Sequence, residues 1–256
     1  NLNNNHYING MINKVDFQSI ISKYYLNGGI ESVKWEIENN ILNIRFMAGD
    51  GSMIGTITYD NFEMEDSIIG ISNTTQLLKL INITNGPLNL EYIKHHKLIT
   101  KLIISDNQFT TNYALADTMI IPKPMKYVSD GIFNIEAELD NESINAIVKA
   151  KSALADSDTV VFKPHINLDG NLQLEMNFGG NIEHSNKVSF YIPNITTTNL
   201  PNDFKAHYMS GIIKEIMYCN KDVLSCKMSI NLDGVIRLIF SNGNLKSEYY
   251  IVQKEI

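Results

Sequence analysis

The chain has 256 residues, 44% of them hydrophobic and 19% charged, enough to bury one large core or two of ordinary size. Its formal net charge of −7 argues against a surface coated throughout with nucleic acid, because that affinity comes from neutralising phosphates, but it leaves room for a local basic face on an acidic body. No apolar run is long enough to cross a bilayer as a helix, and no basic-then-apolar leader opens the chain, so a membrane or secreted protein is not supported and a cytoplasmic one is expected.

The Asn-rich opening, residues 1–5, carries no pattern and is left out of the fold argument. Helical spacing first runs over residues 16–26 and is stopped by Gly28 and Gly29. A hairpin follows, with strands over 33–37 and 41–47 around Asn39-Asn40. A strand near 67–72 leads into a helix that Asn73 can cap, with Gln76 in the capping-box position. Its apolar positions are Leu77, Leu78, Leu80 and Ile81, and Asn85-Gly86-Pro87 stops it. Strands over 88–93 and 98–104, a turn at Asp106-Asn107 and a strand over 108–115 complete this half. Pro122 and Pro124 then prevent regular ladder pairing and mark an extended connector.

Residues 133–139 alternate as a strand, and Asp140 can cap a helix carrying Ile144, Ile147, Val148, Ala150 and Leu154. A strand over 159–166, an Asp169-Gly170 turn and a returning strand over 172–178 follow. The same order then recurs: a strand over 204–209, a helix that Ser210 can cap, a strand over 222–230, Asp233-Gly234, and a return over 235–240. The pentapeptide INLDG stands at both turns, residues 166–170 and 230–234. Asp-Gly between alternating runs signals a hairpin whose two turn residues both tolerate positive φ. Such repetition is internal duplication, and the first half follows the same grammar. The expected fold is α+β. Two similar domains, residues 11–117 and 131–256, are joined by a connector over 118–130, and each is built from two strand–helix–hairpin units. Domains of this kind leave free strand edges, which symmetry can close into a ring.

Catalytic constellations are missing from the sequence. Lys94-His95-His96-Lys97 puts two imidazoles on consecutive strand residues, which point to opposite faces and would not converge on a metal ion. His165 has no partner in sequence, and the pairs Glu63/Glu65 and Glu136/Glu138 read as solvated strand rims. Cys219 and Cys226 have no CxxC companion and are expected as reduced thiols. No nucleophile elbow, phosphate loop or dinucleotide fingerprint is present. No enzymatic activity, metal or cofactor is expected.

Over residues 15–254 the chain resembles the DNA sliding clamps, most of all the replication clamp of T-even-like bacteriophages and next the proliferating-cell nuclear antigen. VKWEIENNILNIRFM at 33–47, with Trp35, is similar to the first hairpin of the eukaryotic clamp. DNESINAIVKAKSALADSDTVVF at 140–162 is similar to the third helix and strand of the phage clamp, and IIPKPM at 120–125 to its connector. SEYYIVQKEI at 247–256 resembles the C-terminal strand of the eukaryotic clamp.

The resemblance implies a duplicated DNA-clamp fold in a head-to-tail homotrimeric ring. Helices would line a hole holding double-stranded DNA without sequence preference. The protein would be a non-enzymatic processivity factor that tethers the replicative DNA polymerase and is placed by a clamp loader, in the host cytoplasm if the source is a phage. The DNA-facing residues it implies are Lys23, Lys79, Lys149, Lys151 and Lys214, with Ala146 where the family has a further basic residue. The slot it implies for partner peptides is formed by Met47, Ile121, Pro122, Met125, Tyr250 and Val252, with Gln253 in place of the family's C-terminal proline. The alternative reading is a trimeric β-rich phage structural protein of the tail or baseplate. A duplicated carbohydrate hydrolase or lectin would need exposed aromatics or paired carboxylates in a cleft, whereas Trp35 reads as core.

Overall fold

Four times the chain runs strand, helix, antiparallel strands. The computed structural model describes residues 6–96, 98–127, 131–180 and 182–254. Contacts divide the chain into two units: one holds the residues up to Met47, Thr56–Met125 and Asn244–Lys246, the other Ala48–Gly55, Lys126–Gly243 and the residues from Ser247 on.

In the first unit, β1 (His6–Asn13) and α1 (Lys14–Tyr25) precede β2 (Val33–Glu38), β3 (Ile41–Met47) and β4 (Met53–Asp60). Then β5 (Ser67–Ile71) and α2 (Thr74–Asn82) precede β6 (Pro87–His95), β7 (Leu98–Ser105) and β8 (Thr110–Ala114). The two copies exchange their leading strands. β1 pairs with β6, giving a sheet in the order β1-β6-β7-β8, while β5 pairs with β2 in the order β5-β2-β3-β4. Burial alternates strictly along β2 and β3, as expected where one face meets the core. That core holds Phe17, Tyr24, Trp35, Phe46 and Leu77, with Phe17 edge-on to Trp35 at 5.6 Å.

The second unit repeats the plan. β9 (Ile135–Asp140) and α3 (Asn141–Ala153) precede β10 (Thr159–Ile166), β11 (Leu172–Gly179) and β12 (Lys187–Ile192). After the short β13 (Thr196–Thr197) come β14 (Ala206–Met209), α4 (Ser210–Cys219), β15 (Ser225–Ile230), β16 (Ile236–Asn242) and β17 (Leu245–Ile251). β14 joins β10 in a sheet ordered β12-β11-β10-β14, and β9 joins β15, with β16 and β17 beyond. Phe162 packs on Tyr208 at 5.0 Å and Phe240 on Tyr249 at 5.9 Å.

The repeat is therefore a strand, a helix and three strands, one strand more than the hairpin expected from the sequence, except after α2, where all three were expected. The strand after the first hairpin, β4, follows a Gly49-Asp50-Gly51 cluster that reads as loop. β1 and β12 adjoin Asn-rich stretches that hide their alternation.

The INLDG turns also differ from expectation. Only Gly170 (φ 80°) and Gly234 (φ 75°) are left-handed, and the aspartates are not. The organising residue is the asparagine. Asn167 Oδ1 accepts from Asp169 N (3.0 Å) and Asn171 N (2.8 Å), and Gly170 N donates to Asn167 O at 3.0 Å. Asn231 accepts from Val235 N at 2.8 Å, and Gly234 N donates to Asn231 O at 3.0 Å. These are turns closed by a left-handed glycine, the three-residue hairpin type. The first hairpin, by contrast, uses Asn39 (φ 53°) and Asn40 (φ 62°), a two-residue turn in which both residues are left-handed.

Candidate nucleic-acid interface and partner surface

Among the described residues, three of the four α-helices, α1, α2 and α3, are capped at their N-termini by short side chains. Asn13 Oδ1 accepts from Val15 N at 2.8 Å and Asp140 Oδ1 from Ser143 N at 2.7 Å. The Ser143 amide holds the Asp140 carboxyl below the usual range. Asn73 Oδ1 accepts from Gln76 N at 2.9 Å, but the Asn73 amide is met by the Tyr113 hydroxyl at 3.0 Å, where the capping box expected Gln76. Ser210 does not cap α4. Met209 holds that position without a side-chain bond, and the Ser210 hydroxyl donates to Ser157 O at 2.6 Å.

The lysines expected to face DNA divide into two groups. Lys79 and Lys149 are exposed, and Lys214 is half-buried with Nζ 3.3 Å from Glu215. Lys23 and Lys151 are corrections, because they are only 1% and 8% exposed. Lys151 Nζ donates to Leu154 O (3.2 Å) and Ala155 O (2.5 Å), closing the end of its own helix. The helical period carried the signal. Lys23 lies three residues after Ile20, and Lys151 four after Ile147, both on the buried stripe. Lys14, absent from the expected set, donates to Asn82 O at 3.1 Å and so closes the end of α2. Asp16, Glu142 and Glu215 stand on the same helices and offset much of the lysines' charge.

In the first unit, Asp117 Oδ1 accepts from Met119 N at 2.8 Å and starts a 3-10 turn over Thr118–Ile120. Ile121 is 3% exposed and packs over Gly70, where an added Cβ would lie 2.4 Å from Ala116 O. Ile121 is thus an anchor of the segment, not a wall of an open slot, which corrects its expected role. Lys123 adds a second tie, 2.6 Å from Glu36 on β2. Turned outward are Pro122, Met125 (87% exposed), and two residues the sequence reading did not single out, Met119 (89%) and Ile120 (74%). Met47, at the end of β3, is also exposed. In the second unit, Tyr250 is half-buried, stacks on Tyr127 at 4.5 Å and donates to Glu248 Oε1 at 2.7 Å. Burial and the Glu248 carboxylate push its phenol up to about 12. Val252 is exposed, with its amide on Ser52 O. Gln253 Nε2 donates to Asp233 O at 2.9 Å and lies directly over Gly234.

Two residues set aside in sequence behave differently in the fold. His96 is left-handed (φ 56°), so it leaves strand geometry and its ring meets that of His95 at 4.8 Å. Lys97 lies outside the described residues. His165 does have partners, Glu175 at 3.9 Å and the Tyr191 ring at 4.9 Å. No group of three or more His, Cys, Asp or Glu residues with metal-binding spacing occurs among the described residues.

No family model matches the sequence, and no curated protein matches it. Solved structures do. The proliferating cellular nuclear antigen of Entamoeba histolytica is 14% identical with a TM-score of 0.76, over 97% of this chain and 99% of that one. A. fulgidus PCNA, solved with the C-terminal region of FEN-1 bound, is 14% identical with a TM-score of 0.74, over 97% and 99%. Thermococcus kodakaraensis PCNA is 12% identical with a TM-score of 0.73, over 96% and 100%. At these identities the likeness establishes the fold: the chain has the duplicated α+β architecture of the PCNA-type clamps over 97% of its length.

Proposed function

We propose that this chain is a DNA sliding clamp, a non-enzymatic tether for a replicative polymerase. The observation that carries the reading is the clamp-fold likeness over nearly the whole of both chains. Among the described residues, β8 and β12 are outer strands with one neighbour each. Pairing β8 of one protomer with β12 of the next would remove these edges and close a homotrimer. Lys79, Lys149 and Lys214 then supply mobile contacts to the phosphates of a duplex in the hole, and a clamp loader places the ring. The T-even-like branch is inferred from the connector and third-helix segments of the sequence.

The A. fulgidus structure has a partner's C-terminal region bound. Here the connector, where Met119, Ile120 and Met125 are exposed, is the surface on which a short apolar partner segment docks.

A sedimentation concentration series gives three protomer masses if the reading is right and one if it is wrong. On loaded circular DNA, changing Lys79, Lys149 and Lys214 to Glu abolishes retention, while changing Lys101, Lys227 and Lys246 on the strands does not. Equal loss in both sets rejects the helices as the DNA-facing surface. Charge changes at the exposed positions alter stability by only about ±0.5 kcal/mol each; Lys214 is half-buried beside Glu215, so circular dichroism of the helix set must first show that it is folded.

A further inference from the structure

A groove of about 750 Å³ opens on the sheet β12-β11-β10-β14 of the second unit. Val160 and Phe162 of β10 point into the core, so Thr159, Val161 and Lys163, which line the groove, lie on the opposite face. Four lysines ring it, Lys163, Lys187, Lys205 and Lys254, together with His207. In a chain of net charge −7 this is a local reversal of sign.

The reversal is only partly neutralised from within. Glu175 lies 3.1 Å from Lys163 and 3.9 Å from Lys187, and is itself nearly buried beneath them. Burial works against its charge, but Lys163, Asn177 and Lys187 outweigh that and hold its carboxyl below the usual range. An arriving anion therefore meets ammonium groups, not the carboxylate. Lys254 pairs with Asp158 at 2.9 Å, and that carboxylate is largely exposed. Lys205 has no carboxylate partner among the described residues. Burial and then the Lys205 charge hold the His207 imidazole below its usual value. Gly180 lets the Lys187 stem lie across the backbone, since an added Cβ would stand 3.2 Å from it.

We infer that this groove is a docking site for an acidic, extended segment of a partner protein, held by Lys163, Lys187 and Lys205. Charge complementarity selects the occupant, and the volume is that of a cleft for a small ligand or short peptide. Nucleic acid fits less well. Among the described residues no Phe, Tyr or Trp lines the groove, so His207 is the one ring there on which a base could stack. The amides of Gly179 and Gly180 are spent on Ser157 Oγ and Asn186 O, which leaves no backbone cradle there for phosphate.

Fluorescence anisotropy on the full chain tests the inference, with a labelled oligo-glutamate peptide and a single-stranded oligonucleotide of equal charge as probes. The peptide binds, and more weakly as salt is raised. Changing Lys187 and Lys205 together to Gln, which keeps most of each stem, weakens it about tenfold, whereas Lys101→Gln with Lys227→Gln leaves it unchanged. In the unaltered protein, the His207 ring titrates at higher pH once peptide is bound, a readout independent of any variant's folding. Absence of peptide binding at low salt, indifference to the Lys187 and Lys205 changes in folded protein, a His207 titration that the peptide does not move, or tighter binding of the oligonucleotide would each overturn the assignment.

Discussion

Gly234 and Gly170 occupy the same place in two copies of one pentapeptide, yet their surroundings differ. Both are left-handed, but nothing lies within 4 Å of a Cβ added at Gly170, whereas at Gly234 it would stand 2.2 Å from Gln253 Nε2. Gly170→Ala should cost about 1–2 kcal/mol in backbone strain. Gly234→Ala should cost that and about 1 kcal/mol more, because Gln253 must swing away from its bond to Asp233 O. Urea denaturation measures both. In a Gln253→Ala background the two costs should converge, and a gap that persists there would assign the difference to something other than Gln253. The sequence signalled a turn at both places. It could not signal the neighbour, since Gln253 is remote along the chain. Nor did it reveal the asparagine's role, because Asp-Gly is compatible with more than one turn type.

Among elements, the helices were the most legible. Asn73 and Asp140 cap as their positions suggest, whereas Ser210, expected to do the same, bonds Ser157 O instead. Lys23 and Lys151 misled because the resemblance placed them without regard to helical phase. The period that buries Ile20 and Ile147 also carries Lys23 and Lys151 inward, and long stems tolerate this when the ammonium finds acceptors, as the carbonyls do for Lys151. The connector shows the same limit. Its prolines were plain, but which residues turned outward depended on the 3-10 turn that Asp117 starts. The Asp140 cap makes a pH-dependent prediction. Its carboxyl is held low, so its stabilisation is complete above the ordinary aspartate value of about 3.9 and is lost as pH falls through the lowered value. Asp140→Ala should therefore lower Tm at neutral pH by an amount that shrinks in acid. Asp140→Asn should keep most of the cap at all pH values. A Tm deficit of Asp140→Ala that stays constant into acid would show that the cap's charge does not matter.

For the molecule as a whole, duplication was legible where the turns still match and obscure where they have diverged. INLDG marks the β10–β11 and β15–β16 turns of the second unit, while the matching β2–β3 turn of the first unit runs through Asn39-Asn40 with a different geometry. Net charge was informative in the same limited way. A total of −7 did not forbid a basic surface, and the groove rimmed by Lys163, Lys187, Lys205 and Lys254 depends on strand neighbours that only the fold supplies.

The exchange of leading strands between copies has a consequence for how the chain is made. β1 cannot find its ladder until β6 exists, since Asn13 pairs with Pro87 and His6 with Lys94. β9 waits in the same way for β15. During synthesis, then, the first half-unit leaves the ribosome with an unsatisfied strand and an uncovered helix, and closes only when its sibling follows. Non-local closure of this kind is slow, on the order of milliseconds to seconds, and exposes strand edges while it waits. A fragment ending at Asp60 should lack cooperative unfolding, and one ending at Met125 should gain some, as measured by circular dichroism against urea. Equal cooperativity in both would mean that a single copy closes unaided. The duplication thus sets a minimum length of nascent chain before either half-unit is protected, and ties the survival of each copy to the arrival of the next.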